Sequence, residues 1–132
     1  MIIKKSQSVL ITLQLLSLLG CSQDKLAQVN FPGEKQLTLT SIQKLEQQEL
    51  DSTVYLKGQV EEKVPLLEKG AYALKDATGT IWVKSEQNLP NQGDIVLIKG
   101  QIQYKSIPVG KQDLGERYIG EIEQLGKKIN EQ

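Results

Sequence analysis

The chain has 132 residues, with 16 lysines and arginines against 16 aspartates and glutamates, no histidine and one cysteine. A net charge of zero excludes the globally basic balance of a dedicated nucleic-acid binder. Without His the commonest general base and transition-metal ligand are missing, and a lone Cys forms no internal disulfide, so neither an enzyme nor a cofactor nor a metal centre is expected.

In chain order, the first segment has the layout of a bacterial lipoprotein signal. Lys4 and Lys5 give a positive start, residues 9–19 an apolar middle, and Gly20 a small residue before Cys21. The apolar run is short of the roughly 20 residues a spanning helix needs, and Gln14 interrupts it. This layout predicts removal of residues 1–20 and acylation of Cys21. The protein would then be held to a lipid membrane in the cell envelope, facing the periplasm or exterior. Bacterial lipoproteins carry several acyl chains on this cysteine, which makes durable an attachment that one chain leaves marginal. An uncleaved anchor helix and a secretory signal with a free Cys21 are the alternatives. Loss of Lys4 and Lys5 leaves one slightly acidic domain.

Residues 21–36 are polar and hold Pro32-Gly33, the composition of a flexible tether lifting the domain off the bilayer. Within 37–52, Thr40-Ser41-Ile42-Gln43 has the form of a capping box. Ile42, Leu45 and Leu50 follow at roughly helical spacing, which predicts a short helix over about 41–50 docking one apolar stripe on the next domain. From Thr53 the period becomes two: Val54, Leu56, Gly58 and Val60 alternate with Tyr55, Lys57, Gln59 and Glu61 in a first strand. Tyr72 and Leu74 mark a second. Asp76-Ala77-Thr78-Gly79 is a turn in which Asp accepts from backbone amides and Gly supplies positive φ. Ile81 and Val83 mark a third strand, and Val96, Ile98, Gly100, Ile102 and Tyr104 a long fourth. After a loop holding Pro108, Gly110 and Gly115, residues 118–122 form a shorter fifth strand. The barrel would occupy 53–124, and the polar tail 125–132 would fray.

Five strands with bend-permitting glycines in the first and fourth predict an all-β, closed antiparallel barrel, which removes exposed sheet edges. The stretches Val54–Val60, Tyr72–Val83 and Gly93–Ile102 resemble the OB-fold pattern V-x-G-x-V, L-x-D-x-T-G-x-I-x-V, G-D-x-V-x-V-x-G-x-V. The chain is similar to small OB-fold lipoproteins of cyanobacterial type, which implies a five-stranded OB-fold barrel with a short N-terminal helix. An SH3-like barrel is the alternative. Many OB-folds place a helix between the third and fourth strands, but residues 85–93 leave room only for a loop.

The resemblance also implies a ligand face on the outside of the second and third strands, between the first long loop and the loop before the last strand. By strand position that face holds Ala71, Ala73, Lys75, Trp82 and Lys84, with Tyr55 and Lys57 beside it and Lys63, Lys69, Lys105 and Lys111 at its rim. The indole would stack on a ligand and the lysines would track anions. The bland readings are that Lys75 and Lys84 are ordinary solvation and that Trp82 covers a barrel end or packs on the 41–50 helix. Together these residues predict a membrane-tethered binding module with an envelope protein, peptide or glycan as ligand. Single-stranded nucleic-acid binding is the alternative, disfavoured by the compartment. A carboxylate-only cation site among Asp94, Asp113 and Glu116 is also considered, without EF-hand spacing.

Overall fold

The computed structural model describes residues 25–65 and 69–130; the signal segment and Cys21 lie outside them. The period-two runs become strands β1 (Thr53–Pro65), β2 (Gly70–Asp76), β3 (Gly79–Ser85), β4 (Ile95–Lys105) and β7 (Glu116–Lys128). A small ribbon, β5 (Pro108–Val109) with β6 (Gln112–Asp113), decorates the loop between β4 and β7. The five long strands close into a barrel in the order β1-β2-β3-β7-β4. β3 and β7 run parallel; the other pairs are antiparallel. This is the expected OB-fold, but not the expected all-antiparallel closure: a barrel of five strands, an odd number, cannot close with every neighbouring pair antiparallel.

β1 serves two neighbours in turn. Thr53–Gln59 pairs with β4, and Gln59–Pro65 pairs with β2, a ladder interrupted by a bulge at Glu61. Gly58 sits at this change of partner, where a Cβ would lie 2.7 Å from the Lys75 carbonyl oxygen and 2.8 Å from Leu74 Cγ. The bend therefore needs a residue with no side chain.

Inward positions fill the core: Val54, Leu56, Val60, Tyr72, Leu74, Ile81, Val83, Val96, Ile98, Ile102 and Ile119. Burial of each such side chain contributes roughly 1.5–3 kcal/mol. Ser85 is fully buried at one end of this set and donates to Glu121 Oε2 (2.7 Å), while the buried Tyr72 hydroxyl donates to Glu121 Oε1.

The segment before β1 departs from expectation in two ways. The predicted helix over 41–50 is a six-residue 3-10 helix, Ile42–Gln47, and Ser41 makes no side-chain cap. The cap comes from far along the chain: the Ile42 N–H donates to Asp76 Oδ2 (2.9 Å) and the Gln43 N–H to Thr78 Oγ1 (3.0 Å). At its other end, Arg117 Nη1 donates to the carbonyls of Leu45 (2.9 Å) and Gln48 (2.6 Å). Held at both ends, the short helix buries Ile42 and Leu45 against the barrel as predicted, but Leu50, the third residue of the expected stripe, lies beyond its end and is 46% exposed. Residues 86–94 hold no helix.

The second departure is the expected tether. Its described part, residues 25–36, lies on the barrel. It forms helix α1 (Lys25–Gln28) and a 3-10 turn at Glu34–Gln36. Lys57 Nζ donates to the Val29 carbonyl and to Glu34 Oε2, both at 2.8 Å, and a Cβ on Gly126 would collide with the Phe31 ring. The segment lies over the outer side of β1, β4 and β7, where the outward-pointing Leu97 is 1% exposed. At the chain's far end the expected tail is strand as well: β7 is 13 residues long and pairs with β4 as far as Lys128 opposite Ile95.

Candidate functional site

The outward face of β1, β2 and β3 is a patch three residues wide. Cross-strand register sets Val64, Ala71 and Lys84 in one row, Glu62, Ala73 and Trp82 in the next, and Gln59, Lys75 and Thr80 in the third. Directly opposed side chains on one face have Cβ atoms about 4.5–5.5 Å apart. Trp82 is 36% exposed, whereas its neighbour Ala73 is only 5% exposed. A large half-covered ring beside a small covered residue leaves a shallow, partly apolar surface at the middle of the patch.

Of the residues expected here, Lys75, Trp82 and Lys84 share this face with Ala71 and Ala73. Tyr55 and Lys57 do not. They stand in the half of β1 that pairs with β4, opposite Lys99 and Leu97. The Lys57 ammonium is spent on Glu34 and Val29, and its side chain is 11% exposed. Tyr55 instead receives the incoming chain, bridging to Leu39 and accepting the Thr40 N–H at its carbonyl (2.9 Å). Places expected for Tyr55 and Lys57 are taken by Glu62 and Val64, which the bulge at Glu61 turns outward. The consecutive polar pair Glu61-Glu62, breaking the alternation of β1, is the sequence signal for that bulge.

Three lysines of the face and its rim, Lys75, Lys69 and Lys63, have acidic or polar partners. Lys75 Nζ lies 3.8 Å from Glu61 Oε1. Lys69 forms an ion pair with Glu86, whose carboxyl is held below its ordinary range by the Lys69 hydrogen bond and charge, with Lys84 adding to the effect. Lys63 Nζ donates to Asn91 Oδ1 (2.7 Å). Arg117, the single arginine, is occupied as the 3-10 helix cap. The face is therefore balanced in charge rather than cationic, which is a poor match to a phosphate backbone.

Two of the three carboxylates considered for a cation, Asp94 and Asp113, are engaged elsewhere. Asp94 is buried and accepts the Asn91 N–H (2.9 Å) and the Asn130 N–H (3.1 Å). Asp113 organises the loop between β4 and β7. It accepts the N–H groups of Ile107 and Gly115 (both 2.9 Å) and the hydroxyls of Ser106 (2.9 Å) and Tyr104 (3.1 Å). The two backbone donors lead in holding its carboxyl below the ordinary range. Among the described residues no three His, Cys, Asp or Glu side chains gather as a metal site, and no helix is long and apolar enough to cross a membrane.

The turn at Asp76 keeps its predicted carboxylate role, with Oδ1 accepting the N–H groups of Thr78 (2.7 Å) and Gly79 (3.2 Å). Gly79 does not take positive φ; Gly33, Gly93 and Gly110 do.

No protein-family model matches the sequence, and no curated protein matches it. Solved structures do resemble it. An aspartyl tRNA synthetase from Entamoeba histolytica aligns with a TM-score of 0.56 at 14% identity, over 75% of this chain and 23% of that one. A protein described as an aspartyl-tRNA synthetase from Leishmania major Friedlin gives 0.54 at 12% identity, over 89% and 26%. The E. coli protein ygiW gives a weaker 0.42 at 21% identity, over 64% of this chain and 90% of that one. The chain thus spans about a quarter of the length of each synthetase, and the likeness concerns the fold of that part: an OB-fold module.

Proposed function

We propose that the protein is a lipid-anchored OB-fold binding module of the bacterial cell envelope, attached through Cys21, which takes a peptide, protein or glycan on the β1-β2-β3 face. The observation that carries the reading is Trp82, 36% exposed at the centre of a face where Lys75 is accompanied by Glu61 and the rim Lys69 by Glu86. An aromatic ring among small and neutralised neighbours suits a ligand bound by stacking and hydrogen bonds better than one bound by charge. The anchor supports the same class of ligand, because envelope polymers and proteins are what such a tether meets.

Trp82 is the sole tryptophan and reports on its own face. Titration of peptidoglycan fragments and of oligothymidylate into the full chain, read by Trp82 fluorescence in the parent and by isothermal titration calorimetry in both the parent and Trp82→Ala, tests the proposal. A saturable response to the glycopeptide that is insensitive to salt and lost in Trp82→Ala is the expected result. Undiminished binding by Trp82→Ala refutes the face.

The second reading is single-stranded nucleic-acid binding, favoured by the two similar structures whose names mark them as enzymes acting on tRNA. It requires an oligothymidylate response that weakens steeply as salt rises.

A further inference from the structure

We propose that the barrel end nearest the N-terminus, formed by Gln28–Phe31 with Lys127, Lys128 and Ile129, rests directly on an anionic bilayer surface. This rests on the reading of Cys21 as the lipidated residue. Two independent observations lead to it.

The first is reach. The chain is docked on the barrel from helix α1 onward, fixed by Lys57 to the Val29 carbonyl and to Glu34, and by Phe31 over Gly126. Only four peptide steps separate Cys21 from Lys25, a span of at most about 14 Å at roughly 3.5 Å per residue. One headgroup layer is itself some 5–8 Å thick. A domain tied so short has no freedom to stand off the membrane, and the end to which the segment is docked must lie against the headgroups.

The second is chemistry. That end has the composition of an interfacial surface. Lys127, Lys128 and Ile129 line a cleft with Gln28–Phe31. Ile129 is 60% exposed and Leu125 37% exposed, although both are large and apolar. Lys127 and Lys128 are exposed beside them, and Lys35 is exposed on the docked segment. The acid of that segment, Glu34, is neutralised by Lys57. Lysines attract anionic headgroups, and apolar side chains such as Ile129 sink into the headgroup boundary. The other apolar cluster, Ile107, Val109 and Leu114, lies at the opposite end of the β4–β7 hairpin. It is separated from Ile129 by the length of β4, about 35 Å for an 11-residue strand. It therefore points away from the bilayer and supplies an internal control.

The test moves the single tryptophan. The full chain is prepared as W82F/I129W and as W82F/V109W and reconstituted with vesicles rich in phosphatidylglycerol, with or without brominated acyl chains. Intact mass spectrometry reports the state of Cys21. The expected result is a blue-shifted, bromolipid-quenched Trp at position 129 and an unquenched one at 109. Adding K127Q/K128Q should weaken docking by roughly fivefold per lysine, about 25-fold together, with the same effect from replacing phosphatidylglycerol by phosphatidylcholine. Absence of quenching at 129 in acylated, vesicle-bound protein overturns the docking and leaves the anchor standing. An unacylated Cys21 with no vesicle binding overturns the anchor and the docking together. An unacylated Cys21 with quenching at 129 supports the surface and overturns the anchor alone.

Discussion

Asp76→Asn isolates the long-range cap of the 3-10 helix. The carboxylate has divided duties: Oδ1 accepts the N–H groups of its own turn and the Thr78 hydroxyl, and Oδ2 accepts the Ile42 N–H across 34 positions of sequence. An asparagine keeps the turn by leaving its oxygen at the Oδ1 site, and so presents an NH₂ group to the Ile42 N–H. Two donors then face each other beside a side chain that is 6% exposed. A hydrogen bond to a charged group contributes roughly 1.5–3 kcal/mol, and an orphaned buried donor costs roughly 1–3. The expected loss is about 2 kcal/mol, which for a domain of this size lowers Tm by about 10 °C. Asp76→Ala removes the turn bonds as well, two of them exposed and the one from Gly79 part-buried, and should cost about 0.5–1 kcal/mol more. Thr40→Ala and Ser41→Ala, the residues of the apparent capping box, should stay within about 0.5 kcal/mol of the parent. Urea unfolding followed by Trp82 fluorescence and far-UV circular dichroism measures all four. If Ser41→Ala proves as damaging as Asp76→Asn, the cap is local and the reasoning fails.

Further outcomes follow from other contacts. Burial, the Glu121 charge and the Glu121 hydrogen bond all push the Tyr72 hydroxyl far above its ordinary range. Its unfolded pKa is near 10, so folding holds a proton that the unfolded chain releases, and stability is lost as pH rises above about 10. The slope is about 1.4 kcal/mol per pH unit, and alkaline unfolding of Tyr72→Phe should be correspondingly shallower. At Glu34, burial would raise the carboxyl, but the hydrogen bonds from Lys57 and the Phe31 N–H and the Lys57 charge prevail and hold it low. That contribution is present above the ordinary carboxylate range and is lost as pH falls through it. Glu34→Gln should therefore quicken amide exchange in residues 31–37 at neutral pH, and the difference from the parent should shrink in acid. Asp113→Ala removes the acceptor for Ile107, Gly115, Ser106 and Tyr104. It should loosen residues 106–115 to proteolysis while changing Tm by only a few degrees, since those bonds are exposed and outside the barrel core.

The barrel was legible because Val54–Val60, Ile81–Lys84 and Val96–Tyr104 alternate cleanly, and the glycines at 58 and 100 mark bends. The last strand was under-read. Past Gly120 the alternation slips, because register shifts near Leu97/Ile98 and Lys99/Gly100 let β7 follow β4 without a strict period. The 41–50 segment carries helical spacing, but what fixes its short 3-10 form lies at Asp76 and Arg117, which no local window contains. Trp82, Lys75 and Lys84 were placed correctly by alternation within one strand. Tyr55 and Lys57 were misplaced because alternation says which side of a strand a residue takes, not which neighbour that stretch pairs with, and β1 changes neighbour at Gln59. The polar composition of residues 25–36 predicts a tether, not a docked segment. Its hold depends on one ion pair and one ring over a glycine, contacts visible only in three dimensions.

The seam between β3 and β7 joins Val83 to Ile119 and Lys84 to Gly120, and these two pairs are all the ladder it has. It is also among the last joints available to a chain emerging from its N-terminus, followed only by the β4–β7 pairs beyond Gly120. β1, β2 and β3 form a meander from local contacts, but the cylinder stays open until residues near 119 have appeared. Loop-closure entropy makes such distant pairings slow. A polypeptide made from its N-terminus would thus carry a half-built sheet with a free margin until residues 119–128 arrived. Stop codons upstream of Ile119 should yield a species that aggregates or is degraded, while a truncation at Asn130 should leave the barrel closed.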